Sequence, residues 1–133
     1  MSAPHTTTIQ VRFRDIDSMD HVNSAVYVTY LEQARSAFFR DVLDERLDRV
    51  DTVIARQEIE YRRPIDLGDA VRVDLEVARL GESSVTMAYE VYANDELAAT
   101  AESVQVAYDR ETERSRPLPT AWRERLSAYD RSE

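Results

Sequence analysis

An α+β fold, with a curled antiparallel sheet around one long helix, is predicted by three features of this 133-residue chain. One amphipathic helical stretch lies near the N-terminus. A long run of alternating apolar and polar residues follows it, from Thr52 to near Tyr108. The turns within that run are short, as antiparallel strands joined in a meander require. The length suits one domain over residues 1–133, small enough for a second subunit to supply part of a site.

Each element has its own signal. Thr7, Ile9, Val11 and Phe13 alternate with polar residues, which predicts a half-buried strand. Asp15 to Ser24 is a loop. Tyr27, Tyr30, Leu31, Ala34 and Phe38 recur every three or four residues, predicting a helix from about Ala25 to Val42. Asn23 or Ser24 can cap it by accepting a first-turn N–H. The acid-rich stretch from Asp41 to Asp51 is a solvated helix end and loop.

Val53 to Tyr61 is the next strand, ended by Pro64 ahead of a turn at Gly68–Asp69. Val71, Val73, Leu75 and Val77 alternate cleanly. Gly81–Glu82 then turns the chain into Val85, Met87, Tyr89 and Val91. Asn94–Asp95 makes a tight turn into a last strand ending near Tyr108. Arg116 to Pro119 is extended, and Thr120 is placed to cap a short helix through Ala128. Internal repeats and low-complexity tracts are absent.

Composition narrows the chemistry. The sequence has no cysteine, which excludes thiolate nucleophiles, disulfides and thiolate-bound metal. A net charge of −9 argues against nucleic acid as the partner. All 17 basic residues are arginine. That bias fits either a GC-rich genome or a salty cytoplasm in which an acidic surface holds water. No apolar run is long enough to span a bilayer. The opening MSAPHTTTIQ has no basic n-region or apolar h-region, so the expected location is the cytoplasm, with no membrane partner.

The candidate site lies where the first strand gives way to the helix. Asp15 and Asp17 are followed by His21, the only histidine besides His5, and by Asn23. Attack on an acyl carbon needs a base or nucleophile, and dipoles aimed at the oxygen that becomes negative. Asp17 suits the first role, by activating water or by attacking directly. Free N–H groups at the helix start, around Ser24 to Tyr27, suit the second. His21 can share the proton traffic or fix the carboxylate, and Asn23 can orient a water or close the loop.

The same residues carry a family resemblance. Arg12, Asp15, Asp17, His21, Val22, Asn23, Tyr27, Tyr30, Glu32, Ala34 and Arg35 form the pattern R-x-x-D-x-D-x-x-x-H-V-N-x-x-x-Y-x-x-Y-x-E-x-A-R. This resembles the opening signature of the hotdog-fold acyl-CoA thioesterases, the group of hydroxybenzoyl-CoA thioesterase and the Tol–Pal-associated thioesterases. Ile59 to Pro64, Gly68–Asp69, the Gly81 turn and Arg116 to Pro119 continue it in the family's order. The resemblance implies a five-stranded sheet around a central helix, catalysis by Asp17, an acyl-CoA substrate, no cofactor, and a homodimer or a tetramer of dimers. An acyl carrier protein is the alternative carrier. The H-V-N loop further resembles plant acyl-ACP thioesterases, in which the residues matching Asp17 and His21 are catalytic. Those enzymes use an asparagine two residues after the aspartate, where this chain has Met19.

Structural roles are expected beside the catalytic ones. Asp15 is expected to pair with Arg12 or Arg14 at the strand end. Tyr27, Tyr30 and Phe38 belong to the core, with Tyr27 also placed to line an acyl pocket. Glu32 can pair with Arg35, or reach a neighbouring subunit's site. Arg62 and Arg63, with Arg72 and Arg79, are candidates to grip CoA phosphates or simply face solvent. One interior histidine and scattered acids make no metal site. Two other classes fit the fold, a hotdog hydratase and a non-catalytic acyl-binding module. The hydratase loop usually reads D-x-N-P-x-H, and this chain has no proline there. A pure binder has no need of Asp17.

Overall fold

Alternation along the chain becomes two-faced strands. The computed structural model describes residues 3–131. In β3 (Val71–Leu80) and β4 (Ser84–Ala93), Val71, Val73, Leu75, Val77, Val85, Met87, Tyr89 and Val91 are buried, and their polar neighbours face outward. With β1 (His5–Ile9), β2 (Thr52–Tyr61), β5 (Glu96–Asp109) and the two-residue β6 (Arg114–Ser115), they build one antiparallel sheet. Its order is β1-β3-β4-β5-β2, and β6 pairs with β5. Asn94 and Asp95 turn β4 into β5 with φ of 51° and 65°, a conformation these residue types tolerate.

Helix α1 (Val26–Phe38) buries the predicted stripe of Tyr27, Tyr30, Leu31, Ala34 and Phe38 and lies against β1 and β3. It runs on as a π turn over Phe39–Leu43 and stops at Asp44, whose φ is 55°. The helical stretch therefore ends within a residue of the expected Val42. Helix α2 (Thr120–Ser127) closes that end. Trp122 packs edge-on to Phe39, and Arg125 Nη1 donates to the Leu43 carbonyl at 3.1 Å. Beyond it, Tyr129 O accepts from Val77 N–H, and Arg131 N–H donates to Val77 O, beside the bulge between Val77 and Arg79.

Four details differ from the sequence reading. The first strand stops at Ile9; Phe13 starts a 3-10 turn and is 83% exposed, so its alternation is not a strand signal. Thr120 is the first residue of α2 rather than its cap, and Pro119 precedes it with no side-chain cap. The sheet gains β6 as a sixth strand. Arg35 does not pair with Glu32. It turns inward, donating to Gln57 Oε1 and Tyr89 Oη at 3.2 Å each, because the Ala34–Arg35 side of α1 faces the sheet.

Candidate active site

The segment after β1 is a small closed hairpin. Ile16 and Val22 form an isolated antiparallel bridge, and Asp17 N–H donates to His21 O at 2.8 Å. Asp20 N–H returns to Asp17 O, with Asp20 at φ 65° making the tight turn. Asn23 N–H to Asp15 O, at 2.8 Å, closes the hairpin on the other side of that bridge, and Val22 N–H to Ile65 O, also 2.8 Å, pins it to the body. The candidate residues are thus held by main-chain geometry.

Asp15 and Asp17, two residues apart, meet opposite environments. Asp15 is 4% exposed; its Oδ2 accepts from Arg12 N–H at 2.9 Å and Tyr30 Oη–H at 2.8 Å. Arg12 Nε stands 3.9 Å away, so the expected Arg12 pairing forms and Asp15 ties the loop to α1. Asp17 is half-buried. Its Oδ1 accepts from Met19 N–H at 2.8 Å and His21 N–H at 3.4 Å, and Oδ2 has no hydrogen-bond partner among the described residues. One oxygen anchors the carboxylate while the other is available.

Asn23 starts the helix. Its Oδ1 accepts from Ala25 N–H at 2.9 Å, and its carbonyl accepts from Val26 N–H at 2.8 Å. Those two N–H groups are consumed, which narrows the expected oxyanion donors. Ser24 N–H has no partner among the described residues, and the Ser24 carbonyl accepts from Tyr61 Oη at 2.8 Å. Asn23 therefore positions Ser24.

A cleft of about 380 Å³ collects these groups. Asp17, His21, Val22, Ser24, Tyr27, Tyr61, Arg62, Arg63 and Pro64 line it. Tyr27 is buried, with the Tyr61 ring edge-on at 4.9 Å. Arg62 pairs with Glu60, and Arg63 with Glu96. Arg72 lies outside the cleft, paired with Asp74 and Asp95 and stacked on Tyr92. In the sequence Tyr61 reads as one more strand residue, with no spacing that marks it for the site. Asp66 carries no local signal either, yet its Oδ1 lies 2.8 Å from His21 Nδ1. Among the described residues no group of three or more His, Asp or Glu side chains is placed to hold a metal ion.

Burial sets the behaviour of the tyrosines. Desolvation, then the hydrogen bond to the Asp15 carboxylate, pushes the Tyr30 phenol well above its ordinary 10.0. Burial, then the nearby Tyr61, also raises Tyr27. A raised folded value means stability is intact below pH 10 and is lost as pH rises through the folded values. The urea midpoint is expected to drop above pH 10, and less steeply in Tyr30→Phe. At neutral pH that variant, which strips the buried Asp15 of a donor, is expected to lose about 1–3 kcal/mol.

Comparison with known proteins settles the family. The sequence model of the thioesterase-like superfamily matches residues 11–126. The chain belongs to that superfamily. A thioesterase from Thermus thermophilus, crystallised with coenzyme A and zinc, is 41% identical, with 97% of this chain and 96% of that one covered and a TM-score of 0.88. A predicted thioesterase from Bacillus stearothermophilus is 29% identical, covering 96% and 97%, with a TM-score of 0.89. A 1,4-dihydroxy-2-naphthoyl-CoA hydrolase of Synechococcus elongatus is 27% identical over 116 residues, 82% of this chain and 85% of that protein. The fold is the hotdog fold, and the protein is a thioester hydrolase. No helix among the described residues is long and apolar enough to cross a membrane.

Proposed function

We propose that the protein, a single thioesterase domain, hydrolyses an acyl-CoA to the free acid and CoA in the cleft between the Asp17 hairpin and the start of α1. One juxtaposition carries the reading: Asp17, whose Oδ2 has no hydrogen-bond partner among the described residues, and Ser24, whose N–H has none, line the same cleft. Asp17 acts as base toward water or as nucleophile, and Ser24 N–H receives the carbonyl oxygen as it gains charge. Tyr27 and Tyr61 offer apolar faces to the substrate. Arg62 and Arg63 form a cationic rim for the CoA phosphates, their present partners being exposed carboxylates that bind weakly. The Thermus thermophilus relative was crystallised with coenzyme A, which supports this substrate class.

Thiol release from short, long and aromatic acyl-CoAs, beside an acyl carrier protein thioester, tests the reading. Turnover of at least one acyl-CoA is expected. Silence across the CoA panel contradicts it, and turnover of the carrier-protein thioester alone replaces CoA as the carrier.

We further propose a homodimer, alone or paired into a tetramer, formed through β2. That strand ends the sheet, and Val53 and Ile54 on it are 45% and 39% exposed. Light scattering is expected to give at least twice the chain mass, and Ile54→Lys is expected to lower it. A wild-type monomer contradicts the assignment.

A further inference from the structure

His21 and Asp66 are 45 residues apart in sequence, yet His21 Nδ1 and Asp66 Oδ1 are 2.8 Å apart. Asp66 sits in a turn held without its carboxylate. Asp66 N–H donates to Asp69 Oδ2 at 2.8 Å, and Asp69 N–H donates to Asp66 O at 3.1 Å. Gly68, at φ 96°, gives the turn its left-handed step. Asn94 Nδ2 braces Asp69 Oδ1 at 3.0 Å, and Ala70 N–H donates to Asn94 Oδ1 at 2.9 Å. Among the described residues the Asp66 carboxylate has no other hydrogen-bond partner than His21. The turn accounts for the backbone of Asp66 and leaves its side chain without a structural task. As a surface ion pair the contact adds little stability.

An ionised carboxylate only accepts, so a neutral His21 must carry its proton on Nδ1. Nε2 is then the nitrogen free to exchange a proton with the cleft that His21 shares with Asp17. We propose that Asp66 is a positioning residue for thioester cleavage: it holds His21 in the Nδ1–H tautomer, so that Nε2 handles the proton of the departing sulfur. This rests on the thioesterase reading. In the step, Asp17 takes a proton from water as the water oxygen bonds to the acyl carbon. The proton on Asp17 passes through solvent to Nε2 of the neutral ring, the C–S bond breaks, and Nε2 gives that proton to sulfur. The ring is left in its Nδ1–H form, and thioester and water become acid and thiol.

The first test needs no substrate. The chain has two histidines, so the ¹⁵N signals of His21 are those lost in His21→Gln. The neutral ring is expected to be Nδ1-protonated in the wild type and mainly Nε2-protonated in Asp66→Ala. A wild-type Nε2–H ring, or a tautomer unchanged by Asp66→Ala, overturns the proposal. Kinetics supply the second test. His21→Gln is expected to lower kcat roughly 10²-fold. Asp66→Ala is expected to lower kcat about tenfold, and the double variant should be no slower than His21→Gln alone. Additive losses overturn the link through His21. A wild type silent on every thioester instead defeats the thioesterase reading, while the tautomer result still decides whether Asp66 sets the ring.

Discussion

Asp17→Asn is expected to lower kcat toward acyl-CoA roughly 10³-fold, about 4 kcal/mol in the barrier, with KM and melting temperature near wild type. The selectivity follows from the two oxygens of the side chain. An asparagine Oδ1 still accepts from Met19 and His21 N–H, so the hairpin closes as before. What disappears is the negative, basic oxygen at Oδ2. Asp15→Asn is expected to behave in the opposite way. It weakens the bonds from Arg12 and Tyr30 to a buried group, so it lowers stability more than it lowers the chemical step. Thiol-release kinetics paired with urea melts separate the two. An Asp17→Asn variant that turns over normally would move the base elsewhere.

The second large effect is on the fold. Phe38→Ala is expected to cost about 3–5 kcal/mol, because Phe38 is fully buried and truncation leaves a cavity. Its ring meets His5 edge-on at 5.4 Å and Tyr129 at 5.3 Å, so it joins β1, α1 and the segment after α2. Urea unfolding measures the loss, and protease cleavage within residues 3–9 or after Ser127 is expected to rise with it. A cost below about 1 kcal/mol would mean the site collapses around the gap and that the three segments are held by other contacts.

Much of this was legible in residue order. Period-two and period-3.6 patterns are enforced by burial, and so the strands of the meander and the stripe on α1 could be placed from sequence. Asn23, and the Arg12 half of the role of Asp15, were readable because they are local: a carboxylate or amide bonding within three residues leaves a spacing signature, whereas the bond from Tyr30 to Asp15 leaves none. Phe13 misled because alternation continued past the point where Arg12 and Asp15 bend the chain into a 3-10 turn. Arg35 misled for a related reason. The spacing to Glu32 satisfies a surface pair, but the rotation of α1 that buries Ala34 takes Arg35 inward with it. Asp66 and Tyr61 were illegible because their partners, His21 and Ser24, are long-range. Only folding brings the ends of β2 and α1 together.

The central claim is that the thioester lies between Asp17 and the N–H of Ser24. A crystal structure with a non-hydrolysable acyl-CoA analogue that keeps the carbonyl tests this most directly. The account predicts the carbonyl oxygen about 3 Å from Ser24 N, and Asp17 Oδ2 roughly 3–3.5 Å from the carbonyl carbon or from a water poised to attack it. An analogue bound with its carbonyl away from both groups would contradict it.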